Sequence, residues 1–201
     1  VSIETKTNLD IEAAPSFISI FPCIPMPTLT PPPLNANLAT TRLEFDRASQ
    51  GIKRPEVQLL AAGEAIFRFA SSRNQQTGQS IPSTEWAKGA WWVRESEYRK
   101  IIARHQSGRL PLGTVARAAV AVQPSWSNMD VSIKATVVKD IYVYVGQGST
   151  QYRDQMPNGM FVTLKGWPDV QQIYIPGMRS TSFTAIRVLR QKIVTTNDFG
   201  F

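Results

Sequence analysis

The segment from Trp167 to Gly177 carries polar residues whose types and spacing would suit a part in a chemical reaction. Asp169, Gln171 and Gln172 come just before a short apolar run, and that run ends at a Pro-Gly turn. A carboxylate at the start of such a strand can stabilise a developing positive charge, whereas an amide can only form hydrogen bonds there. The segment therefore offers one carboxylate and two amides at the start of a strand.

A basic residue on an earlier strand is the candidate for binding an anion. The run Ala65–Phe69 alternates as a strand does, which places Arg68 opposite Phe67 and Phe69. The planar fork of a guanidinium suits the recognition of phosphate. The alternative is an ordinary strand arginine that extends its charged end into solvent.

In their order along the chain, these segments resemble the bacterial mono-ADP-ribosyltransferase toxins of the cholera and pertussis branch. Residues Glu64–Arg73 are similar to the family's first motif, in which an aromatic-Arg pair is followed by a small residue, Ser and Arg. The segment at Gln172, with the strand at Ser182–Leu189, resembles the closing hairpin, although the family has a glutamate where this sequence has glutamine. The resemblance spans roughly Glu64 to Leu189.

The family's second motif, a strand with Ser-x-Ser character followed by a helix, has two candidates. Trp91-Trp92-Val93 precedes a predicted helix but carries aromatic residues in place of serines. Ser125-Trp126-Ser127 has the serines, but strands follow it. Order along the chain favours the first candidate, and its aromatic rings could stack on nicotinamide or adenine. The alternative is that these tryptophans belong to the core.

The resemblance implies that NAD is bound as a substrate. Arg68 would hold its phosphates, and Arg73 would make a lesser phosphate contact. Trp91 or Trp92 would lie against the nicotinamide. The expected fold is α+β of the ADP-ribosyltransferase type, with helices N-terminal and two small bent sheets around an NAD cleft.

The implied activity is that of a toxin or effector that cleaves NAD at the nicotinamide bond. Gln172 would bind the ribose as positive charge develops on it. Asp169 could take this role if the register of the strand differs, and Gln171 lies between the two in the sequence. ADP-ribose would pass to water or to a macromolecular acceptor, protein or nucleic acid. The resemblance also implies secretion or delivery into a target cell, and it leaves room for an immunity or inhibitor protein.

Two other classes of function stay open. The missing glutamate fits a catalytically silent module of the same fold that binds a protein partner. A net charge of +7 and a pI near 9.8 fit a basic, β-rich protein that binds nucleic acid or forms a coat. A steep salt dependence of nucleic-acid binding would favour this last class.

The rarity of histidine and cysteine limits the chemistry further. His105 is the single histidine and Cys23 the single cysteine, so neither a zinc site nor an internal disulfide is expected. His105 falls on the apolar face of a predicted helix, which favours a structural role. The apolar runs are too short for a transmembrane helix. No signal-peptide pattern opens the sequence, and a start at Val1 leaves open that one was removed.

Proline separates an N-terminal arm from the domain. Half of the chain's 14 prolines fall within residues 1–41, which predicts an extended arm or linker, with the domain over residues 42–201. Within the domain we expect a helix at Pro55–Ala62 and another from Ser96 to Gly108. The expected strands are Ala65–Phe69, Trp86–Val93, Val115–Val122, Val131–Val138, Ile141–Val145, Met160–Leu164, Ile173–Ile175 and Ser182–Val194.

Overall fold

The computed structural model of the chain describes residues 31–155, 161–180 and 184–194. These residues belong to a compact unit that begins at Pro32. Most of the expected arm lies outside the described residues, and so does Cys23. None of the helices in the described ranges is long and apolar enough to cross a bilayer.

The unit is α+β, as the sequence predicts, with its helices in the first two thirds of the chain. The helices are α1 Ala36–Ala39, α2 Arg42–Gly51, α3 Glu95–Gly108 and α4 Leu112–Val120, with a 3₁₀ turn at Trp86–Lys88. The strands are β1 Ile52–Leu60, β2 Ala65–Ala70, β3 Trp91–Arg94, β4 Val131–Val137, β5 Ile141–Gly148, β6 Gln151–Gln155, β7 Phe161–Leu164, β8 Gln171–Tyr174 and β9 Ile186–Ile193.

Seven strands form one antiparallel sheet in the order β1-β5-β8-β3-β2-β4-β9, and β6 and β7 form a separate hairpin. Two small sheets were expected, whereas here β3 joins the two halves through pairing with β8 and β2. Successive side chains of a strand point to opposite faces. One apolar cluster therefore includes Ala48 of α2, and the other includes Tyr98 of α3 and Leu112 of α4.

The predicted helix at Pro55–Ala62 is wrong, because these residues continue the edge strand β1. Arg54 adopts a left-handed backbone with φ of 53°, and the register with β5 shifts between Lys53 and Glu56. Such an irregularity on an edge strand accommodates proline, which has no N–H to contribute to the ladder. Proline here signals a bulge and not the first turn of a helix.

The predicted strand at Val115–Val122 is also wrong, because most of it lies in α4. A short apolar run does not by itself distinguish a strand from a buried helix. Leu112, Val115, Ala116 and Ala119 are buried at helical spacing. They pack in the same cluster as α3, so tertiary burial decides the conformation.

Most other predicted elements are confirmed with small changes in their bounds. The strand expected at Trp86–Val93 is shorter, since a 3₁₀ turn precedes β3. Helix α3 ends at Gly108 as expected but begins at Glu95. Helix α2 is not among the predicted elements, although Thr41 followed three residues later by Glu44 is a sequence signal for the start of a helix. In the structure, Thr41 Oγ1 accepts a hydrogen bond from the Glu44 amide and caps this helix. Met160 and residues 181–183 lie outside the described residues.

The residues just before α2 are held against the sheet by a buried asparagine. Asn35 is 1% exposed, and its side-chain amide donates to the carbonyls of Tyr142 (2.9 Å) and Pro176 (3.2 Å). Its Oδ1 accepts from the Tyr142 amide at 2.8 Å. Folding of a chain that begins at Arg42 stays a prediction, but such a cut removes all three bonds.

We expect Asn35→Leu to lower the free energy of unfolding by about 2–4 kcal/mol, because it leaves several buried backbone groups without partners. Chemical denaturation followed by circular dichroism measures this change. Asn37→Leu is the matched control, since Asn37 is exposed on α1 and the substitution is the same. Equal effects of the two substitutions would show that Asn35 does not anchor this segment.

Candidate functional site

A cleft of about 360 Å³ brings together three of the residues that the sequence singled out. Arg68 of β2, Trp91 of β3 and Gln172 of β8 all line it. They come from neighbouring strands in the middle of the sheet, and the C-terminal end of α4 closes one side. The other polar and aromatic side chains of its lining are Gln50, Phe69, Trp126, Ser127 and Arg179.

Arg68 is held in place by backbone carbonyls. Its Nε donates to the Trp86 carbonyl at 3.1 Å, and its Nη1 donates to the Trp91 carbonyl at 2.8 Å. No carboxylate pairs with it among the described residues, although further guanidinium N–H groups remain. Burial, with a smaller repulsion from Arg179, lowers the pKa of Arg68 to about 10, so the group is still charged at neutral pH.

A partly buried cation without a carboxylate is costly, because much of its hydration is lost and no opposite charge replaces it. A second cation, Arg179, lines the same cleft and contributes to the lowered pKa of Arg68. No Asp or Glu lines the cleft among the described residues. The electrostatic arrangement therefore favours an anionic ligand, and two converging guanidinium groups suit more than one phosphate.

Gly89 leaves the space that the Arg68 guanidinium occupies. A methyl group built on Gly89 would lie 1.9 Å from Nη2 and 2.1 Å from Cζ of Arg68. The backbone of Gly89, with φ of −76° and ψ of 147°, is open to any residue. Its carbonyl also accepts a hydrogen bond from Trp92 Nε1 at 2.8 Å. The glycine is required for space, and no backbone strain is involved.

We expect Gly89→Ala to displace the Arg68 guanidinium while the fold and net charge stay unchanged, because the clash falls on the end of a flexible side chain. Affinity for a phosphate-bearing ligand should fall by about tenfold or more. Calorimetric titration with NAD measures this loss. Gly108→Ala is the control, since the nearest atom to its added methyl group lies 3.9 Å away. If Gly89→Ala binds as the wild type does, the fixed position of Arg68 is unimportant.

Gln172 is buried, 4% exposed, with its amide oriented by the backbone. Its Nε2 donates to the Gly51 carbonyl at 2.6 Å, which fixes which end of the amide is the acceptor. Among the described residues no donor reaches Oε1, and this atom is not sealed from the cleft. Gln172 therefore presents a fixed carbonyl dipole to whatever occupies the cleft.

Trp91 lies between the cleft and a second cavity of about 620 Å³. Its ring packs against Gly51, where an added methyl group would lie 2.5 Å from Cη2, and against the Tyr174 ring at 4.9 Å. Gln50, Trp91 and Arg179 line both cavities, so the two are adjacent. The indole is in position to contact a ring in either part.

The second cavity contains a buried carboxylate that is already occupied. Glu44 accepts from the Tyr174 hydroxyl at 2.7 Å and pairs with Arg47. Burial, followed by Glu44, raises the pKa of Tyr174 above its ordinary range, so the hydroxyl keeps its proton. These contacts fix α2 against β8. Because Glu44 neutralises Arg47, the excess positive charge of this cavity comes from Arg179.

Two lining residues were missed as functional residues by the sequence analysis. Arg179 follows β8 in an exposed turn, and a single basic residue in a turn carries no specific signal. Trp126 is 56% exposed and lies in the Ser-Trp-Ser segment that was the second candidate for the family motif. Arg117 holds that turn by donating to the carbonyls of Val122 (3.0 Å) and Ser127 (2.6 Å). Both candidate segments therefore reach the cleft.

The structure does not bring Asp169 or Gln171 to the cleft. Asp169 is exposed and pairs with Arg104 at 2.8 Å, and the hydrogen bond from Arg104 holds the pKa of this carboxyl below its ordinary value. Gln171 is exposed, since its side chain points away from that of its neighbour Gln172. The alternation of the strand thus selects Gln172 among the three candidates.

Arg73 lies away from the cleft, and Trp92 is almost fully buried beside it. Arg73 is exposed in the loop after β2, where its carbonyl accepts hydrogen bonds from Ser71 and Gln75. Trp92 is 2% exposed and belongs to the apolar cluster that includes Ala48. Trp91 lines the main cleft, whereas Trp92 reaches only a small cavity of about 30 Å³ that Arg68 and Gln172 also line.

His105 takes the structural place that its helix predicts. It is buried on α3, and its Nδ1 is hydrogen-bonded to the Leu110 carbonyl. This contact ties the end of α3 to the short connection before α4. His105 is not among the residues that line the cleft.

No known family's sequence profile matches the chain, and no curated protein matches it. Two solved structures are loosely similar in chain trace. One is "Rhs1-CT in complex with cognate immunity protein RhsI1", with 10% identity and a TM-score of 0.43, covering 72% of this chain and 85% of that chain. The other is "Structure of Tne2 in complex with Tni2", with 12% identity and a TM-score of 0.41, covering 70% and 92% respectively.

Proposed function

We propose that the domain is ADP-ribosyltransferase-like, binds NAD in the cleft and cleaves its bond between nicotinamide and ribose. The observation that carries the proposal is the partly buried Arg68, which has no carboxylate partner among the described residues and shares the cleft with Gln172 and Trp91. NAD offers groups that match this lining, namely a diphosphate for the guanidinium groups and flat aromatic rings for the tryptophan side chains. The order of the sequence motifs supports the same substrate.

Each side chain has a distinct part in the proposed reaction. Arg68 and Arg179 hold the diphosphate, and Trp91 lies against an aromatic ring of the dinucleotide. As the bond from C1′ to nicotinamide breaks, its electron pair stays with nicotinamide and positive charge develops on the ribose. The Oε1 of Gln172 places the negative end of a fixed dipole toward that charge. An amide stabilises the cation less than a carboxylate would.

We propose further that the activity is that of a bacterial toxin or effector, secreted or delivered into a target cell and held in check by an immunity protein. The support for this role is the resemblance of the motifs at Arg68 and Gln172 to the toxin family. ADP-ribose would be released to water or transferred to a macromolecular acceptor.

A catalytically silent NAD-binding or partner-binding module is the second candidate. The observation in its favour is that glutamine stands where the family has glutamate, and that no carboxylate lines the cleft among the described residues. Such a module would bind NAD without releasing nicotinamide, or would leave NAD unbound and recognise a protein partner.

Thermal melting with three ligands tests the proposed binding mode. NAD and ADP-ribose should raise the melting temperature, because they bind the folded state through the diphosphate. Nicotinamide riboside, which has no phosphate, should have little effect at the same concentration. If the riboside stabilises as well as NAD does, Arg68 does not bind phosphate. If none of the three stabilises the protein, the NAD proposal fails.

A further inference from the structure

Three exposed aromatic side chains lie on the turn beside the cleft and on the hairpin linked to that turn. Trp126, Tyr152 and Phe161 are 56%, 69% and 71% exposed, and they are the most exposed aromatic residues of the described part of the chain. Tyr152 lies on β6 and Phe161 on β7, so the small hairpin carries two of them. Large aromatic groups at this exposure have no role in the core and are typical of binding surfaces.

The hairpin is linked to the turn that carries Trp126. Gln123 Nε2 donates to the Tyr152 carbonyl at 3.5 Å, and the Trp126 amide donates to the Gln123 carbonyl at 3.0 Å. Trp126 also lines the cleft, so the turn that contacts the hairpin reaches the cleft of Arg68 and Gln172. The surface and the proposed reaction site are therefore adjacent.

Basic residues flank the base of the same hairpin. Lys53 pairs with Gln147 across β1 and β5, and Gln147 Nε2 donates at 2.6 Å to the carbonyl of Gly166, the residue after Lys165. Lys53, Arg54 and Lys165 are exposed, and none takes part in an ion pair among the described residues. Positive charge thus lies on the hairpin side of the cleft as well as inside it.

We propose that this surface binds a single-stranded nucleic acid and that the polynucleotide is the acceptor of ADP-ribose. Exposed aromatic faces next to a basic groove are the combination that binds unpaired bases and phosphates without a requirement for sequence. An acidic protein would satisfy the positive charge as well, but a single strand offers a phosphate and a flat aromatic base in every nucleotide, which matches both features at once. The binding half of the inference, that the surface binds a single strand, does not depend on the proposed function. The acceptor half, that the polynucleotide receives ADP-ribose, rests on the proposed function.

The transfer step balances without a further reactant. A nucleophilic oxygen or nitrogen of the polynucleotide forms a bond to C1′ of the ribose as the bond to nicotinamide breaks. The electron pair of the broken bond stays with nicotinamide, which leaves as a neutral molecule. The proton of the nucleophile passes to solvent.

Fluorescence anisotropy with labelled oligonucleotides of mixed sequence, titrated with the full chain, tests the binding half. Single-stranded RNA and single-stranded DNA are run beside duplex DNA, each at low and moderate salt. Single strands should bind more tightly than the duplex, with an affinity that falls as salt rises. Tyr152→Ala combined with Phe161→Ala should weaken single-strand binding by about tenfold or more.

Matched controls separate this surface from general charge and apolarity. Leu189→Ala removes a side chain that is 51% exposed on β9, at the other end of the sheet, and should leave binding unchanged. Lys53→Glu with Lys165→Glu should reduce binding and flatten the salt dependence. Arg187→Glu with Lys139→Glu changes the net charge equally and should have a much smaller effect. The inference would be overturned if Leu189→Ala weakened binding as much as the aromatic double variant, or if the two double charge reversals had equal effects. The absence of binding at low salt would overturn it as well.

Incubation with NAD labelled in its adenylate moiety, together with cellular RNA and protein, tests the acceptor half. Label should appear on the polynucleotide, and less of it with the Tyr152→Ala, Phe161→Ala variant, whose release of nicotinamide into water stays at the wild-type rate. Nicotinamide release with label only on protein, or only in free ADP-ribose, overturns the acceptor half alone. Without any nicotinamide release the proposed function fails, and the anisotropy result then decides the role of the hairpin.

Discussion

Arg68→Ala should weaken NAD binding by roughly 1.5–3 kcal/mol, because it removes a charge-assisted contact to phosphate. The loss corresponds to about tenfold to 150-fold in the dissociation constant. Arg68→Lys keeps the charge but cannot donate to the Trp86 and Trp91 carbonyls in the geometry of the fork. We therefore expect the lysine variant to fall between alanine and wild type in a calorimetric titration.

The matched control for Arg68 is Arg187→Ala on the edge strand β9, which removes the same charge from an exposed position away from the cleft. Its dissociation constant for NAD should stay at the wild-type value. If Arg187→Ala weakens binding as much as Arg68→Ala does, the effect comes from the overall charge of the protein. A specific contact between Arg68 and phosphate would then be excluded.

Gln172→Ala should leave NAD binding largely intact and reduce turnover by about a hundredfold, the scale found when one preorganised polar contact to a developing charge is lost. The physical reason is that Oε1 contributes mainly as the ribose becomes positive, whereas the diphosphate contacts are made in the ground state. Steady-state kinetics of nicotinamide release, combined with NAD calorimetry, separate the two. Gln171→Ala is the control, since its exposed side chain points away from the cleft.

Gln172→Glu introduces the carboxylate that the toxin family has at this position. We expect faster nicotinamide release, because a full negative charge stabilises the ribose cation better than a dipole does. We also expect lower stability, since a carboxylate cannot donate to the Gly51 carbonyl, which Nε2 reaches at 2.6 Å. Asp169→Asn should change neither step, because Asp169 pairs with Arg104 outside the cleft. A large loss of turnover in Asp169→Asn would contradict the assignment of Gln172.

The sequence predicts strands well where apolar residues alternate or form runs between turns. The strands at Ala65–Phe69, Val131–Val138 and Ile141–Val145 follow from these patterns. The failures arise where context outside the local window decides. Pro55 occupies a bulge on an edge strand, and Val115–Val122 becomes helical because α4 buries its apolar face with α3.

The candidate site is predictable in part. The family resemblance singled out a larger set of residues, and the fold brings Arg68, Trp91 and Gln172 of that set into one cleft. Choosing Gln172 over its neighbour requires the register of β8, since a shift of one residue reverses the face of each side chain. Arg179 carries no sequence signal, because its role depends only on where the turn after β8 places it.

Nicotinamide release from NAD by the wild-type domain, followed over hours beside Arg68→Ala, tests the central claim most directly. We expect slow, saturable release by the wild type, since Gln172 offers a dipole and no full charge. Release by the Arg68→Ala variant should be strongly reduced at the same NAD concentration. Release at the same rate by both proteins would contradict the account. So would the absence of release by either protein together with no binding of NAD to the wild type.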